Sequence, residues 1–277
     1  MSTVQVVGAA IEYTETGAGS PVVFVHGAYV TGAVWDEVAH LLSDTHRCIV
    51  PTWPLGAQRK PLDEPVDLSV AASGRRILGL LDTLDLSDVT LVANDTGGGI
   101  VLAALGDPGL DWGRVSRLVF TNCDSYEHFP PGSFAPIVRL CRLNRFVGAV
   151  LMRLLTTPPG LRVFIGAVTR QGIDPERRPA IFGGFLSSAA VRGQAVRFTA
   201  DLHPRHTLAA SRAIEEWTNP VLLAWGDADD MFPLSHARRL ADAFPNAALQ
   251  PIAGASTYVM LDRPEQAASA IRQFLDS

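Results

Sequence analysis

Residues Val89 to Ala93 read Val-Thr-Leu-Val-Ala, a largely apolar strand pattern that stops at Asn94-Asp95-Thr96 and continues as Gly97-Gly98-Gly99 and a helical pattern to Leu105. An apolar run without alternation marks a strand covered on both faces. Three glycines at its end let backbone pass close to backbone in a sharp turn into a helix. The frame small-x-tip-x-small fits Ala93-Asn94-Asp95-Thr96-Gly97 and leaves Asp95 at the tip. A frame with Thr96 at the tip is rejected, because Asn94 would then occupy a position that needs a small residue. Strand-turn-helix units of this kind build parallel sheets with helices on both faces.

The same rhythm runs through most of the chain. Val4–Val7 and Ile11–Thr16 read as a hairpin, Pro21–Val25, Arg47–Val50 and Leu118–Thr121 as strands, and Val34–Leu42 and Leu68–Leu84 as helices. From Ser125 to Trp217 the rhythm disappears and helical segments follow, broken by Pro130-Pro131, Pro158-Pro159, Pro175 and Gly183-Gly184. It returns at Val221–Trp225, with a helix at Leu234–Ala243, a strand at Ala248–Pro251 and a helix at Pro264–Leu275. The expectation is an α/β fold: an eight-stranded, mostly parallel sheet flanked by helices, with a helical cap inserted after the sixth strand. Residues 1–124 and 218–277 form the core, and 125–217 the cap.

Charge and composition narrow the partners. Twenty-three basic residues, all but Lys60 arginines, face 28 acidic ones, so the net charge is −5 and no basic run suggests nucleic acid. Cys48, Cys123 and Cys141 are too few for a disulfide scaffold, and no Cys/His spacing suggests a metal. The N-terminus lacks a basic, then apolar, leader, so a cytoplasmic setting is expected. The most apolar cap stretch, Phe146–Met152, lies between Arg145 and Arg153 and falls far short of the ~20 residues a membrane span needs. No membrane partner, metal or cofactor is expected, and monomer and homodimer stay open.

Four motifs in order carry a family resemblance: His26-Gly27-Ala28 after a buried strand, the turn around Asp95, Trp225-Gly-Asp-Ala-Asp-Asp-Met-Phe-Pro233, and Ile252-Ala-Gly-Ala-Ser-Thr-Tyr258. Together they resemble the α/β-hydrolase superfamily over essentially the whole chain, with Asp95 in the nucleophile elbow. The resemblance implies an oxyanion hole from the backbone N–H groups of Ala28 and Thr96, and Asp229 as the triad acid, with Asp227 and Asp230 close by. Asp124, at the end of the preceding strand, is a second acid or a helix N-cap.

An aspartate tip resembles the haloalkane dehalogenase and epoxide hydrolase branch, in which a carboxylate attacks saturated carbon and an activated water cleaves the resulting ester. Three departures follow. The residue after the tip is Thr96 instead of a halide-binding Trp. The usual pair of cap tyrosines is missing: Tyr126 alone lies in the cap, at its edge, leaving Tyr29 beside the oxyanion turn or Tyr258 as a substitute acid. The slot 28 residues after Asp229, which should hold the catalytic histidine, holds Thr257. A threonine cannot serve as a base near neutrality. A displaced base would have to come from His128, His203 or His206, since His40 and His236 fall on helices and His46 opens a strand.

The catalytic set is thus Asp95, Asp229 and Thr257, with a substrate pocket of His26, Tyr29, Trp53, Tyr126, Phe129 and Tyr258. Further cap aromatics are Phe134, Phe146, Phe164, Phe182 and Phe185. The substrate is expected to be small and largely apolar. Hydrolysis of an epoxide or ester leads. A non-hydrolytic cyclase, lyase or isomerase with Asp95 as acid or base stands beside it, and a silent ligand-binding protein comes third.

Overall fold

The computed structural model describes all 277 residues. Its eight strands are β1 (Ser2–Val6), β2 (Ala9–Thr16), β3 (Ser20–Val25), β4 (His46–Thr52), β5 (Val89–Asp95), β6 (Val115–Cys123), β7 (Val221–Gly226) and β8 (Ala247–Ile252). They form one sheet in the order β1-β2-β4-β3-β5-β6-β7-β8. β1 pairs antiparallel with β2, and β2 with β4; the other five pairings are parallel. The first hairpin closes on Val7 and Gly8, both at positive φ, as a two-residue turn matched to strand twist requires.

Helices cover the sheet: α1 (Asp36–Leu42, entered through a 3₁₀ turn at Gly32–Trp35), α2 (Val70–Thr83) and α3 (Thr96–Leu105) precede β6. Between β6 and β7 come α4 (Ala135–Leu143), α5 (Arg145–Leu155), α6 (Pro158–Val168), α7 (Arg178–Ser187), α8 (Ala189–Asp201), α9 (Pro204–Leu208) and α10 (Ser211–Glu216). α11 (Leu234–Ala243), α12 (Val259–Asp262) and α13 (Pro264–Leu275) complete the chain. α2 packs with α3 and α1 with α13. β5 is buried through Asn94 and β7 throughout, which is why both read as apolar runs instead of alternating ones. α2 starts two residues later than its apolar pattern suggests, because the Ser69 hydroxyl accepts the N–H of Ala72 and caps it there.

The helical insertion has two parts. α4 to α8 pack on one another as a cap, whereas α9 and α10 lie against α3. The chain therefore rejoins the core near Pro204, earlier than residue 217. Gly183, at φ +40, and Gly184 bring α7 onto the core, and a β-carbon on Gly183 would sit 2.6 Å from the Ala57 carbonyl oxygen. The Gly184 N–H donates to that same carbonyl, and Thr31 donates its N–H to Ile181 and its hydroxyl to Ala180. The Gln194 side chain pairs with both backbone groups of Leu62. These contacts seat the cap over the strand ends.

Asp95 itself has φ 53 and ψ −133, a sparsely populated conformation that costs on the order of 1–3 kcal/mol. α3 meets the preceding loop so closely that a β-carbon on Gly97 would lie 2.5 Å from the His26 carbonyl oxygen. Gly97→Ala is therefore expected to destabilise the fold by about 1–3 kcal/mol through forced backbone shifts. Thermal unfolding followed by circular dichroism checks this: a melting temperature unchanged from wild type would show that the turn has slack.

Candidate active site

β5 delivers Asp95 to the carboxyl end of the sheet, where the β3–α1 turn and the cap enclose it. Its carboxyl rests against Gly27, at which a β-carbon would fall 1.9 Å from Asp95 Oδ2. The backbone N–H groups of Ala28 and Thr96 face the carboxylate and favour its charge, while burial and the negative charge of Asp229 oppose it. Burial is the largest effect, and the pKa rises from the usual carboxylate range to about 7. Asp95 opens into a small cavity between the core and the cap. Its floor is Ala28, Tyr29 and Thr96, and its roof comes from Phe134, Phe164 and Val168 of the cap, with Pro130, Pro131, Leu202 and Met231 at the sides.

Asp229 is held by four donors. Its Oδ1 accepts the N–H groups of Met231 (2.8 Å) and Phe232 (3.1 Å), and its Oδ2 accepts Asn122 Nδ2 (2.8 Å) and the Thr257 hydroxyl (2.9 Å). Thr257 thus takes the hydrogen bond that an imidazole would take. It does so without offering a base. Asp227 and Asp230, its neighbours in sequence, are spent elsewhere: Asp227 accepts the N–H of Gly254, and Asp230 pairs with Arg170.

Two asparagines, whose part in the site no sequence motif marks, hold this arrangement. Asn94 Nδ2 donates to the Thr257 carbonyl (2.7 Å), Thr121 Oγ1 (2.8 Å) and the Asn122 carbonyl (3.1 Å). Asn122 also accepts the N–H of Gly226 at 2.6 Å and donates to its carbonyl at 3.0 Å. The signal was present, as single amides at the ends of two strands, but their partners lie 27 to 163 residues away.

Asp124 is neither an N-cap nor a partner of a histidine. It follows β6 with its side chain buried between Gly99 and Phe129, and neither carboxyl oxygen has a hydrogen-bond partner. Burial, and then the nearby charge of Asp95, push its pKa well up.

Several expected pocket residues face elsewhere. His26 donates Nδ1–H to the Gly27 carbonyl and accepts the Trp53 N–H on Nε2 (2.8 Å each), and burial lowers its pKa to about 4. It is a neutral strut of the turn and does not line the cavity. Trp53 points into the core beside Leu55, Ile77 and Ile100 and donates its indole N–H to the Phe24 carbonyl. Tyr126 lies under the Arg239 guanidinium, 3.9 Å from its ring centre, and Phe129 is fully buried against Gly99. Tyr258 is buried with no partner for its hydroxyl and lies outside the cavity wall. Of the named aromatics, Tyr29, Phe134 and Phe164 do line the cavity. Tyr29 donates or accepts a 2.6 Å bond with Thr199 of α8 and stacks on Phe185. Phe182 is core, and Phe146 points to solvent at 77% exposure.

None of the three candidate histidines reaches the cavity. His128 stacks on His236 at 4.1 Å, His203 caps α9 by accepting the N–H of Arg205, and His206 is bound to the Asp201 carbonyl. No imidazole, amine or guanidinium lines the cavity around Asp95.

Residues 22–270 match the alpha/beta hydrolase family. A protein of Shewanella oneidensis named cis-3-alkyl-4-alkyloxetan-2-one decarboxylase is 28% identical over 281 residues, covering 97% of this chain and 86% of its own. Haloalkane dehalogenase 2 of Mycobacterium bovis is 24% identical over 277 residues, covering 94% of this chain and 90% of its own. An alpha/beta hydrolase fold protein from Burkholderia ambifaria superposes with a TM-score of 0.83 at 23% identity, over 98% of this chain and 97% of its own. The eight-stranded sheet, the strand-turn-helix that carries Asp95 and the near full-length match agree: the chain belongs to the alpha/beta hydrolase family and is an enzyme of that superfamily.

Proposed function

We propose that the chain is a non-hydrolytic lyase that opens a small, largely apolar, strained cyclic ester, with Asp95 as its nucleophile. One observation carries this reading: Asp229 is capped by the Thr257 hydroxyl, and the cavity around Asp95 contains no base to activate water. An ester formed on Asp95 must therefore leave by a route that consumes no water.

An oxetan-2-one, the substrate type in the name of the Shewanella relative, provides such a route. The Asp95 carboxylate attacks the saturated ring carbon that bears oxygen, and the ring C–O electrons pass to the departing carboxylate. That carboxylate then leaves as carbon dioxide. Its C–C electrons become the alkene π bond while the C–O bond to Asp95 breaks and returns its electrons to Asp95. Lactone becomes alkene and carbon dioxide with no water and no net proton. The Ala28 and Thr96 N–H groups favour the charged carboxylate over the neutral ester, so they assist expulsion in the second step. The apolar cap residues exclude water from the ester meanwhile.

Hydrolysis of an epoxide or ester loses its support with the displaced histidines, and halide release lacks side-chain N–H donors in the cavity. The test is turnover of a cis-3,4-dialkyl oxetan-2-one in oxygen-18 water, with products read by mass spectrometry. Unlabelled alkene is expected. A labelled 3-hydroxy acid as the main product overturns the proposal.

A further inference from the structure

Between Glu127 and Asp174 the chain carries six arginines and no acidic residue. The whole chain sums to −5, so everything outside this segment sums to −5 − 6 = −11. Arg170 is paired with Asp230, but Arg139, Arg142, Arg145, Arg153 and Arg162 stand in no ion pair. Asp201 lies beside this segment, at the end of α8, which packs on α4 and α5. It is paired with Arg205.

The same segment is unusually apolar on its outside. Seven of the ten exposed large hydrophobic side chains fall within residues 140–163. Phe146, Val147, Val150 and Leu154 recur at helical spacing along one side of α5, whereas Gly148 and Met152 face inward. Leu143 (71% exposed) ends α4, and Val163 (72%) stands on α6.

We propose that this cap face docks on an anionic lipid bilayer surface. The apolar side chains enter the interface and the guanidiniums of Arg139, Arg145, Arg153 and Arg162 meet lipid phosphates, while Arg142 stays bound to the Ala200 and Leu202 carbonyls. Basic residues interleaved with protruding Phe, Leu and Val make an interfacial helix, and the charge complements an anionic leaflet. The strongly acidic remainder of the molecule is repelled from the same leaflet, which fixes the orientation. A second copy fits poorly, because a two-fold contact would set these guanidiniums against their own copies. No helix is long and apolar enough to cross a membrane, so the contact is peripheral. It revises the expectation that no membrane takes part. The docked helices are also the roof of the cavity, since α6 turns Val163 outward and Phe164 and Val168 inward. The docking does not depend on which reaction Asp95 performs.

Co-sedimentation of the full-length protein with vesicles tests it. Binding is expected to be at least about tenfold tighter on phosphatidylcholine with about a third phosphatidylglycerol than on phosphatidylcholine alone, and to fall in high salt. Replacing Arg139, Arg145, Arg153 and Arg162 by Gln is expected to weaken it about fivefold per residue. The double variant F146D/V150D should abolish it with the circular dichroism melt unchanged, since both side chains are exposed. No sedimentation on anionic vesicles, or sedimentation unchanged in F146D/V150D, overturns the proposal. Equally tight binding to soluble polyglutamate would assign the face to an acidic protein chain and overturn it. A concentration-dependent dimer dissolved by F146D/V150D, without vesicle binding, would assign the face to a second copy and overturn it too.

Discussion

Asp95→Asn is expected to lower turnover of an oxetan-2-one by about 10⁴-fold or more, since an amide cannot form the alkyl ester on which the second step depends. The exchange preserves shape, and asparagine tolerates a positive φ well, so the loss reports chemistry instead of misfolding. The pH behaviour follows from the same carboxyl. Its folded pKa, raised to about 7 chiefly by burial, lies above the unfolded value near 4. Between those two pH values the folded protein holds a proton that the unfolded chain has released. Stability is therefore lost as pH rises through that window and levels off above about 7. The asparagine variant escapes this loss. It is expected to melt higher than wild type at pH 8 and close to it at pH 4, a gain in stability at the expense of function. Wild-type kcat/KM is expected to rise with pH and level off above about 7, because the charged carboxylate is the nucleophile. A rate that falls through the same pH would make Asp95 a general acid, and a variant keeping a tenth of the activity would remove it from the chemistry altogether.

The parts of the molecule legible in the sequence are those whose physics is local. β3 and β5 announced themselves because strands covered on both faces must be apolar without alternation. The turn at Asp95 was legible because backbone meeting backbone demands glycine, and a side chain at Gly97 would collide with the His26 carbonyl. Thr257 could be placed by its interval from Asp229, and the two side chains stand 2.9 Å apart. Direction was harder to read. Trp53, Tyr126 and Phe129 follow the carboxyl ends of β4 and β6, yet each is turned toward the core or the outer surface, because position along the chain does not fix where a side chain points. In the cap, periodicity identified apolar helices without saying which neighbour would cover them. Phe134 and Phe164 face the cavity, whereas Phe146 faces solvent. The roles of Asn94 and Asn122 were hidden for a related reason: each works through partners from distant segments that only the folded sheet brings together.

Thr257→His restores the one group this site lacks, and its outcome separates a missing base from a missing water. The position is well fixed for the exchange. The Thr257 carbonyl is held by Asn94 Nδ2 at 2.7 Å, and its side chain already points at Asp229 Oδ2. An imidazole there would donate one ring N–H to Asp229 and turn its other nitrogen toward Asp95. Thr257 is fully buried, so the larger ring is expected to cost about 1–3 kcal/mol of stability, visible as a lower melting temperature without loss of the folded signal. When protonated, the imidazolium would stabilise the Asp95 carboxylate and move the rise of kcat/KM below pH 7. A positioned general base contributes about 10²–10⁴-fold to water attack, so 3-hydroxy acid carrying oxygen-18 is expected to appear beside the alkene. Thr257→Val, which removes the hydroxyl and supplies no base, should yield no labelled acid and serves as the control. A folded Thr257→His variant that still makes only unlabelled alkene would show that the cap keeps water out whatever base is present. The absence of a histidine would then be a consequence of the reaction rather than its cause.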